Sequence, residues 1–337
     1  MEIPPILCYN CSKQNGRDFM SICRFGVIGA GSIANHFCRA VEMLPDAEVV
    51  AVASSSESRA KEFAQANHIP ESYGSYEEML RNADINIVYV ATTHNFHMEN
   101  IRLCFAYNKH VLCEKAMVLT AEDAREVFRM AKEKNLFCME AMWTRFLPQY
   151  RKAKQWIEEG RIGKIQAATS VVGFKAQVGP EHRLVNPELA GGAMYDIGVY
   201  AIDPLAYLVG EPIEDSLGVW RKYPATGVDE RATVILRFAS CDAMIQCMFT
   251  ANPKEYTIIN GSDGYVELPF SSGGHDVMLY DSRRNLVEHY HNEWPHGFVF
   301  ELEEVIRCIR EGRIASDIMP PEDTIACAEV FDKVLRG

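Results

Sequence analysis

No apolar run in this 337-residue chain approaches the roughly 20 residues a membrane span requires; the longest clean ones, such as 87–91, are far shorter. No Lys/Arg cluster marks a nucleic-acid face. The balance of 34 basic against 46 acidic side chains leaves −12, which repels phosphate backbones. No nucleic acid and no membrane is therefore expected as a partner. A basic start followed by an apolar core is missing, so the N-terminus does not read as a secretory signal. Gly-x-Ser-x-Gly and P-loop strings are absent, which removes support for a serine hydrolase or an NTPase. Internal repeats and low-complexity stretches are absent as well. Cysteine is present, but a disulfide framework is not: 11 is an odd number, and most, including Cys104, Cys113, Cys138 and Cys247, lie in apolar stretches. Reduced, buried thiols in a cytoplasmic protein are expected. Cys8-x-x-Cys11 lacks a second pair, and His289, His291 and His296 fit no common ligand spacing, so no metal is expected.

What is there is an ordinary globular composition, 48% apolar and 24% charged. At about 150 residues per domain, the length implies two domains. Residues 1–21 read as a poorly ordered extension, with Met20 just before the first strand. Residues 22–146 alternate short β-branched runs (24–28, 48–53, 86–91, 110–113, 136–139) with amphipathic helical stretches (32–44, 58–66, 76–81, 97–107, 121–134). This order predicts an α/β Rossmann domain with a doubly wound parallel sheet. Residues 147–337 change character. A helix at 148–160 precedes strands at 165–173, 232–238, 243–249, 256–260, 264–269, 277–280 and 286–289, and helices at 298–311 and 322–336 close the chain. Consecutive strands without intervening helices predict an α+β domain on one large, mostly antiparallel open sheet. Such a sheet needs its second face covered, which points to a homodimer or homotetramer.

Gly29-Ala30-Gly31-Ser32-Ile33-Ala34 directly follows the first strand and opens a helix, the setting a dinucleotide fingerprint needs. Gly29 permits the tight turn, Gly31 lets backbone approach a pyrophosphate, and Ala34 allows close packing. The N–H groups of the turn and helix start, around Ser32 and Ile33, face the phosphates. After the second strand, an NAD site usually carries an acidic residue for the ribose 2′-hydroxyl. Here Ser54, Ser55 and Ser56 stand instead, with Arg59 nearby, which favours NADP over NAD. Three loops at the carboxyl ends of later strands carry polar clusters: 92–97 with Thr92, Asn95 and His97; 114–116 with Glu114 and Lys115; and 140–146 with Trp143 and Arg145. In the second domain, 191–200 opens a helix that places Asp196 and Tyr200 at i and i+4, on one face.

Together these segments resemble the Gfo/Idh/MocA (glucose–fructose oxidoreductase / inositol dehydrogenase) family, nearest to its dimeric dihydrodiol dehydrogenase and NADP-dependent D-xylose dehydrogenase branch. The residues carrying the likeness are GAGSIA at 29–34, SRAKEFA at 58–64, YGSYEE at 73–78, Glu114-Lys115, MEAMWTRF at 139–146 and GGAxxDxGxY at 191–200. Two departures are plain: the family's E-K-P is Glu114-Lys115-Ala116, and its T-P-N/Q is Thr93-His94-Asn95. The resemblance implies that Lys115 touches nicotinamide ribose and substrate hydroxyl, and that Tyr200 accepts or donates the proton. An ammonium beside the phenol is expected to lower the Tyr200 pKa toward working pH. Asp196 would orient a substrate hydroxyl or hold Lys115 charged. Asn95, His97, Trp143 and Arg145 are expected to line the cofactor pocket, and Trp143, Phe174 and Arg183 to reach the substrate. The implied activity is NAD(P)-dependent interconversion of hydroxyl and carbonyl on a small polyhydroxylated molecule, a sugar, polyol or cyclic diol. Two alternatives stay open: an NAD-dependent glycoside hydrolase with tightly held cofactor, and a non-catalytic nucleotide sensor on the same fold.

Overall fold

A computed structural model describes residues 22–337; the expected extension at 1–21 lies outside the described residues. The first sheet runs β3-β2-β1-β4-β5-β6, all parallel, from β1 (Cys23–Ile28), β2 (Ala47–Ala53), β3 (Glu71–Tyr73), β4 (Ile87–Val90), β5 (His110–Glu114) and β6 (Cys138–Ala141). Its connections are α1 (Ser32–Val41), α2 (Glu57–Ala66), α3 (Tyr76–Asn82), α4 (His97–Ala106) and α5 (Ala121–Lys134). Beyond their first residues the central strands are buried on both faces, as Ile87, Val88, Tyr89 and Val90 are, because helices cover both faces. Strand order reverses direction between β1 and β4, so a ligand crevice opens above their carboxyl ends. The three-residue β3 carries no apolar run of its own, and its ESY sequence gave no strand signal. β6 begins two residues later than expected, because Asn135 ends α5 in the left-handed region at φ 54° and Leu136 folds back onto Ala131.

The second sheet has eight strands in the order β14-β13-β12-β11-β7-β10-β9-β8. They are β7 (Ile165–Gly173), β8 (Asp215–Lys222), β9 (Asp229–Arg237), β10 (Asp242–Met248), β11 (Tyr256–Gly261), β12 (Gly264–Leu268), β13 (Asp276–Asp281) and β14 (Leu286–His291). All neighbours are antiparallel except β7 and β10. The edge strand β8 went unpredicted. Its alternation is blurred by Gly218, which meets α9 (Pro321–Arg336) so closely that a Cβ would lie 2.8 Å from Val334. Helices α6 (Pro148–Glu158) and α7 (Val199–Val209) join α9 against the inner side, while α8 (Phe298–Arg310) packs on α1. The outer side is a bare row in strict register, Leu217, Ile235 and Met244 lying side by side on three neighbouring strands. The nine cysteines among the described residues are all buried free thiols, because apolar strands and helices enclose them. No helix of the described residues is long and apolar enough to cross a membrane.

Candidate active site

The turn after β1 is shaped for a phosphate. Gly29 sits at φ +105°, and a Cβ there would strike the Ala91 carbonyl at 2.7 Å. Gly31 is the opposite case: a Cβ would meet nothing within 4 Å, so the backbone faces open space. No side chain caps α1, whose first N–H groups, around Ser32 and Ile33, remain available to an anion, while Ala34 is fully buried against the sheet. An open cradle, bare helix N–H groups and glycine where backbone must approach together fit a dinucleotide pyrophosphate. Beyond β2, Ser54 is buried and Ser55 exposed. Glu57 is turned away onto Lys61 at 2.6 Å along its own helix, whereas Arg59 is exposed and, among the described residues, meets no acidic side chain.

Lys115 follows β5 and crosses toward the second sheet. Its Nζ donates to the Asp196 carbonyl at 2.6 Å, lies 3.8 Å from Asp196 Oδ1, and stands 4.5 Å from the centre of the Tyr200 ring. Residues 194–198 form a π-turn rather than the expected start of an α-helix, so Asp196 and Tyr200 do not share a simple i, i+4 face. The turn is capped from β9: Asp229 Oδ2 accepts the Met194 N–H at 2.6 Å, and Gly192 leaves room for that carboxylate. Sequence reasoning missed Asp229 because its partner lies 35 positions away. Burial works against the Lys115 ammonium, but Tyr200, Asp196 and Glu114 outweigh it and hold its pKa above the ordinary value. Burial likewise opposes the Asp196 carboxylate, and Lys115 and Arg183 overcome it, lowering its pKa. For Tyr200 burial wins: the pKa is raised, although Lys115 and the Trp143 N–H pull it down. The expected net lowering is therefore corrected. The ammonium softens an upward shift that desolvation imposes.

The other candidates divide into those facing the cleft and those holding it. Trp143 Nε1–H donates to the Tyr200 hydroxyl oxygen at 3.0 Å, and its ring meets Phe298 at 5.6 Å and Trp294 at 6.4 Å, forming an aromatic wall. A Cβ on Gly297 would lie 2.6 Å from Trp143, so that glycine makes the wall possible. Arg183 donates to Asp196 Oδ1 at 2.9 Å. Phe174 is exposed and packs on Phe249 at 5.2 Å, with no contact to the Lys115–Tyr200 pair. Asn95 accepts from Thr93 Oγ1 at 2.7 Å, and Thr92 Oγ1 accepts from Asn100 at 3.2 Å. Glu114, fully buried, accepts the Tyr89 hydroxyl.

Two residues expected in the cofactor pocket are placed elsewhere. His97 is buried with its ring nitrogens on the Thr92 and Ala116 carbonyls, both at 3.0 Å, so it ties two loops together and offers no nitrogen to a ligand. Arg145 is wholly enclosed. Its guanidinium donates twice to Asp203 at 3.0 Å, to Asp323 at 2.6 Å and to the Ile318 carbonyl at 2.7 Å. That exhausts its fork on structural partners. His94, which sequence reasoning passed over, sets one ring nitrogen 3.2 Å from the Lys115 carbonyl and the other 3.3 Å from the Ala190 carbonyl, and as a neutral imidazole it donates to one of them. Burial, with His97 and Lys115 adding to it, lowers its pKa to about 3, so it stays neutral. His289 and His291 both lean on Asp276 at the sheet edge, at 2.7 and 2.8 Å, and no metal-holding cluster occurs among the described residues.

Comparison with known proteins shows the family of both domains. Residues 23–142 match the model of the oxidoreductase family GFO_IDH_MocA, NAD-binding Rossmann fold, and residues 150–267 match the GFO/IDH/MocA C-terminal domain. The trans-1,2-dihydrobenzene-1,2-diol dehydrogenase of Mus musculus is 30% identical over 322 residues, covering 93% of this chain and 96% of its own. The D-xylose 1-dehydrogenase (NADP(+)) of Hypocrea jecorina is 33% identical over 362 residues, covering 93% and 91%. Among solved structures, the 3-ketoreductase KijD10 from Actinomadura kijaniata, crystallised with TDP-benzene and NADP, superposes with a TM-score of 0.81 at 25% identity over 94% of this chain and 98% of that one. The chain belongs to the Gfo/Idh/MocA family of oxidoreductases with an NAD(P)-binding Rossmann fold.

Proposed function

We propose that this protein interconverts a secondary hydroxyl and its carbonyl on a small polyhydroxylated substrate, a sugar, polyol or cyclic diol, with Tyr200 moving the proton and Lys115 assisting. The observation that carries this reading is the Lys115 ammonium 4.5 Å from the Tyr200 ring and bonded to the Asp196 carbonyl, at the rim of the dinucleotide crevice. A bound nicotinamide supplies the two-electron acceptor or donor. Gly29, Gly31, Ser32 and Ile33 would hold its pyrophosphate, and Lys115 its ribose and the substrate hydroxyl. In oxidation the Tyr200 oxygen, as tyrosinate, takes the hydroxyl proton; in reduction the phenol returns it. Lys115 and the Trp143 N–H both favour the anion, and Asp196 keeps Lys115 charged. Because burial raises the Tyr200 pKa, the resting group is a phenol at neutral pH, ready to donate in the reducing direction.

NADP is favoured over NAD: exposed Ser55 follows β2, exposed Arg59 lies in the first turn of α2, and Glu57 at the start of that helix is engaged by Lys61. The separate sheets before and after Phe146 support a domain boundary near it. The row of Leu217, Ile235 and Met244, with Val219 beside it, supports homodimer or homotetramer formation through the open sheet; Leu217 alone is 75% exposed. Buried free thiols suit a reducing compartment such as the cytoplasm. Fluorescence titration with NADPH and NADH, followed by a panel of aldoses, inositols and cyclic diols monitored by nicotinamide absorbance, tests the reading. Tighter NADPH binding and turnover of a polyol or aldose are expected. Absence of both binding and absorbance change would overturn it, and cofactor that stays bound while an aryl glycoside is cleaved would replace it with the glycosidase alternative.

A further inference from the structure

The segment that follows Lys115 is held by His94 and His97 at its start, by Glu140 of β6 at Met117, and by the last helix of the chain beyond that. Glu140, at the end of β6, accepts the Met117 N–H on Oε1 at 2.8 Å and the Thr324 hydroxyl on Oε2 at 2.8 Å. Thr324 belongs to α9. Two positions further on, the Leu119 carbonyl accepts from Arg336 at 3.0 Å, and the Ala121 N–H donates to Asp332 at 2.9 Å, both also on α9. Arg336 also donates to Tyr195 at 2.8 Å, inside the π-turn that carries Asp196, and Asp323 accepts from Arg145 at 2.6 Å. Glu140 and Thr324 are both buried, so neither bond has water as an alternative partner. One helix thus grips the loop behind the ammonium and the turn beneath its carbonyl acceptor.

We propose that α9 is a clamp for the active-site lysine, with Glu140 as the positioning residue that transmits it to the Lys115 loop. The proposal rests on the reading that Lys115 assists Tyr200, since the clamp matters to turnover only through that pair. Losing the Met117–Glu140–Thr324 chain lets the loop relax, and displacement of a reacting group by about 1 Å costs up to about 100-fold in rate. Withdrawing the ammonium also removes a charge that favours tyrosinate, so the rising limb of the oxidation pH profile moves to higher pH.

The test compares Glu140→Ala, Glu140→Gln and Thr324→Val in the full chain, with NADPH affinity and melting temperature measured alongside kcat and its pH profile. A glutamine amide can accept from Met117 and donate to Thr324, so Glu140→Gln is expected to recover most of the activity that Glu140→Ala loses. Thr324→Val keeps the shape of the side chain and is expected to lower kcat about tenfold, with NADPH affinity changed less than about threefold and the pH limb moved upward. An unchanged kcat and pH limb in folded Thr324→Val would overturn the clamp, and that variant decides the matter if Glu140→Ala fails to fold. Lys115→Met is the control: if it leaves turnover intact, the parent reading falls and the clamp falls with it. If it abolishes turnover while Thr324→Val is silent, only the clamp falls.

Discussion

Lys115 and Arg145 are both buried cations beside carboxylates, yet their surroundings differ in kind. Arg145 is enclosed completely and spends every arm of its guanidinium on Asp203, Asp323 and a backbone carbonyl, with Tyr207 stacked at 4.9 Å. Lys115 keeps 12% of its side chain exposed and makes one direct hydrogen bond, to the Asp196 carbonyl, while its nearest carboxylate oxygen is 3.8 Å away. A cation whose donors are all matched holds a fold together. One left with unused donors, beside a phenol at the edge of a crevice, is arranged for a ligand to complete. The same contrast separates His97, locked onto two carbonyls, from Trp143, whose N–H points at the Tyr200 oxygen.

Substitutions should break this contrast in opposite ways. Lys115→Met and Tyr200→Phe are expected to lower turnover by at least about 100-fold, with melting temperature little changed and NADPH binding retained, weakened only for Lys115→Met through its lost ribose contact; kinetics beside fluorescence titration measures both. Arg145→Met should do the reverse, removing about 3–5 kcal/mol of stability by stranding Asp203 and Asp323, as read by urea unfolding. Trp143→Phe keeps the aromatic wall but removes the N–H from the Tyr200 oxygen. It should lower kcat for oxidation about tenfold and move the pH limb upward. In the parent enzyme that limb should lie above the range of an ordinary tyrosine, because burial raises the phenol pKa and oxidation needs the anion. Arg183→Ala, the mildest, loses a half-exposed contact to Asp196 and should raise substrate KM no more than about fivefold with kcat nearly constant.

The first domain is legible in the amino-acid sequence because its rules are local. A β-branched run, a glycine turn and a helix start sit within a dozen residues, and every strand but the short β3 announces itself by an apolar run. Lys115, Asp196 and Tyr200, which the structure brings together, could be picked out as candidates for a related reason, since each lies in a motif of unusual residue types. What was missed depends on partners remote in the chain. Nothing near Arg145 indicates that Asp203 and Asp323 will enclose it, so it read as a cleft residue. Asp229 caps a turn from another strand, His94 joins loops almost a hundred positions apart, and Glu140 meets Thr324 across 184. The Tyr200 pKa was misjudged because the ammonium is visible in the motif, whereas the desolvation that outweighs it exists only once the domains have packed.

The most direct test is a double-substitution cycle on the two groups, measuring kcat for Lys115→Met, Tyr200→Phe and the pair together. Groups that serve one proton transfer should fail together, leaving the double variant no slower than about the worse single one. Losses that multiply would mean the amine and the phenol act independently, and the shared step proposed for them would be wrong.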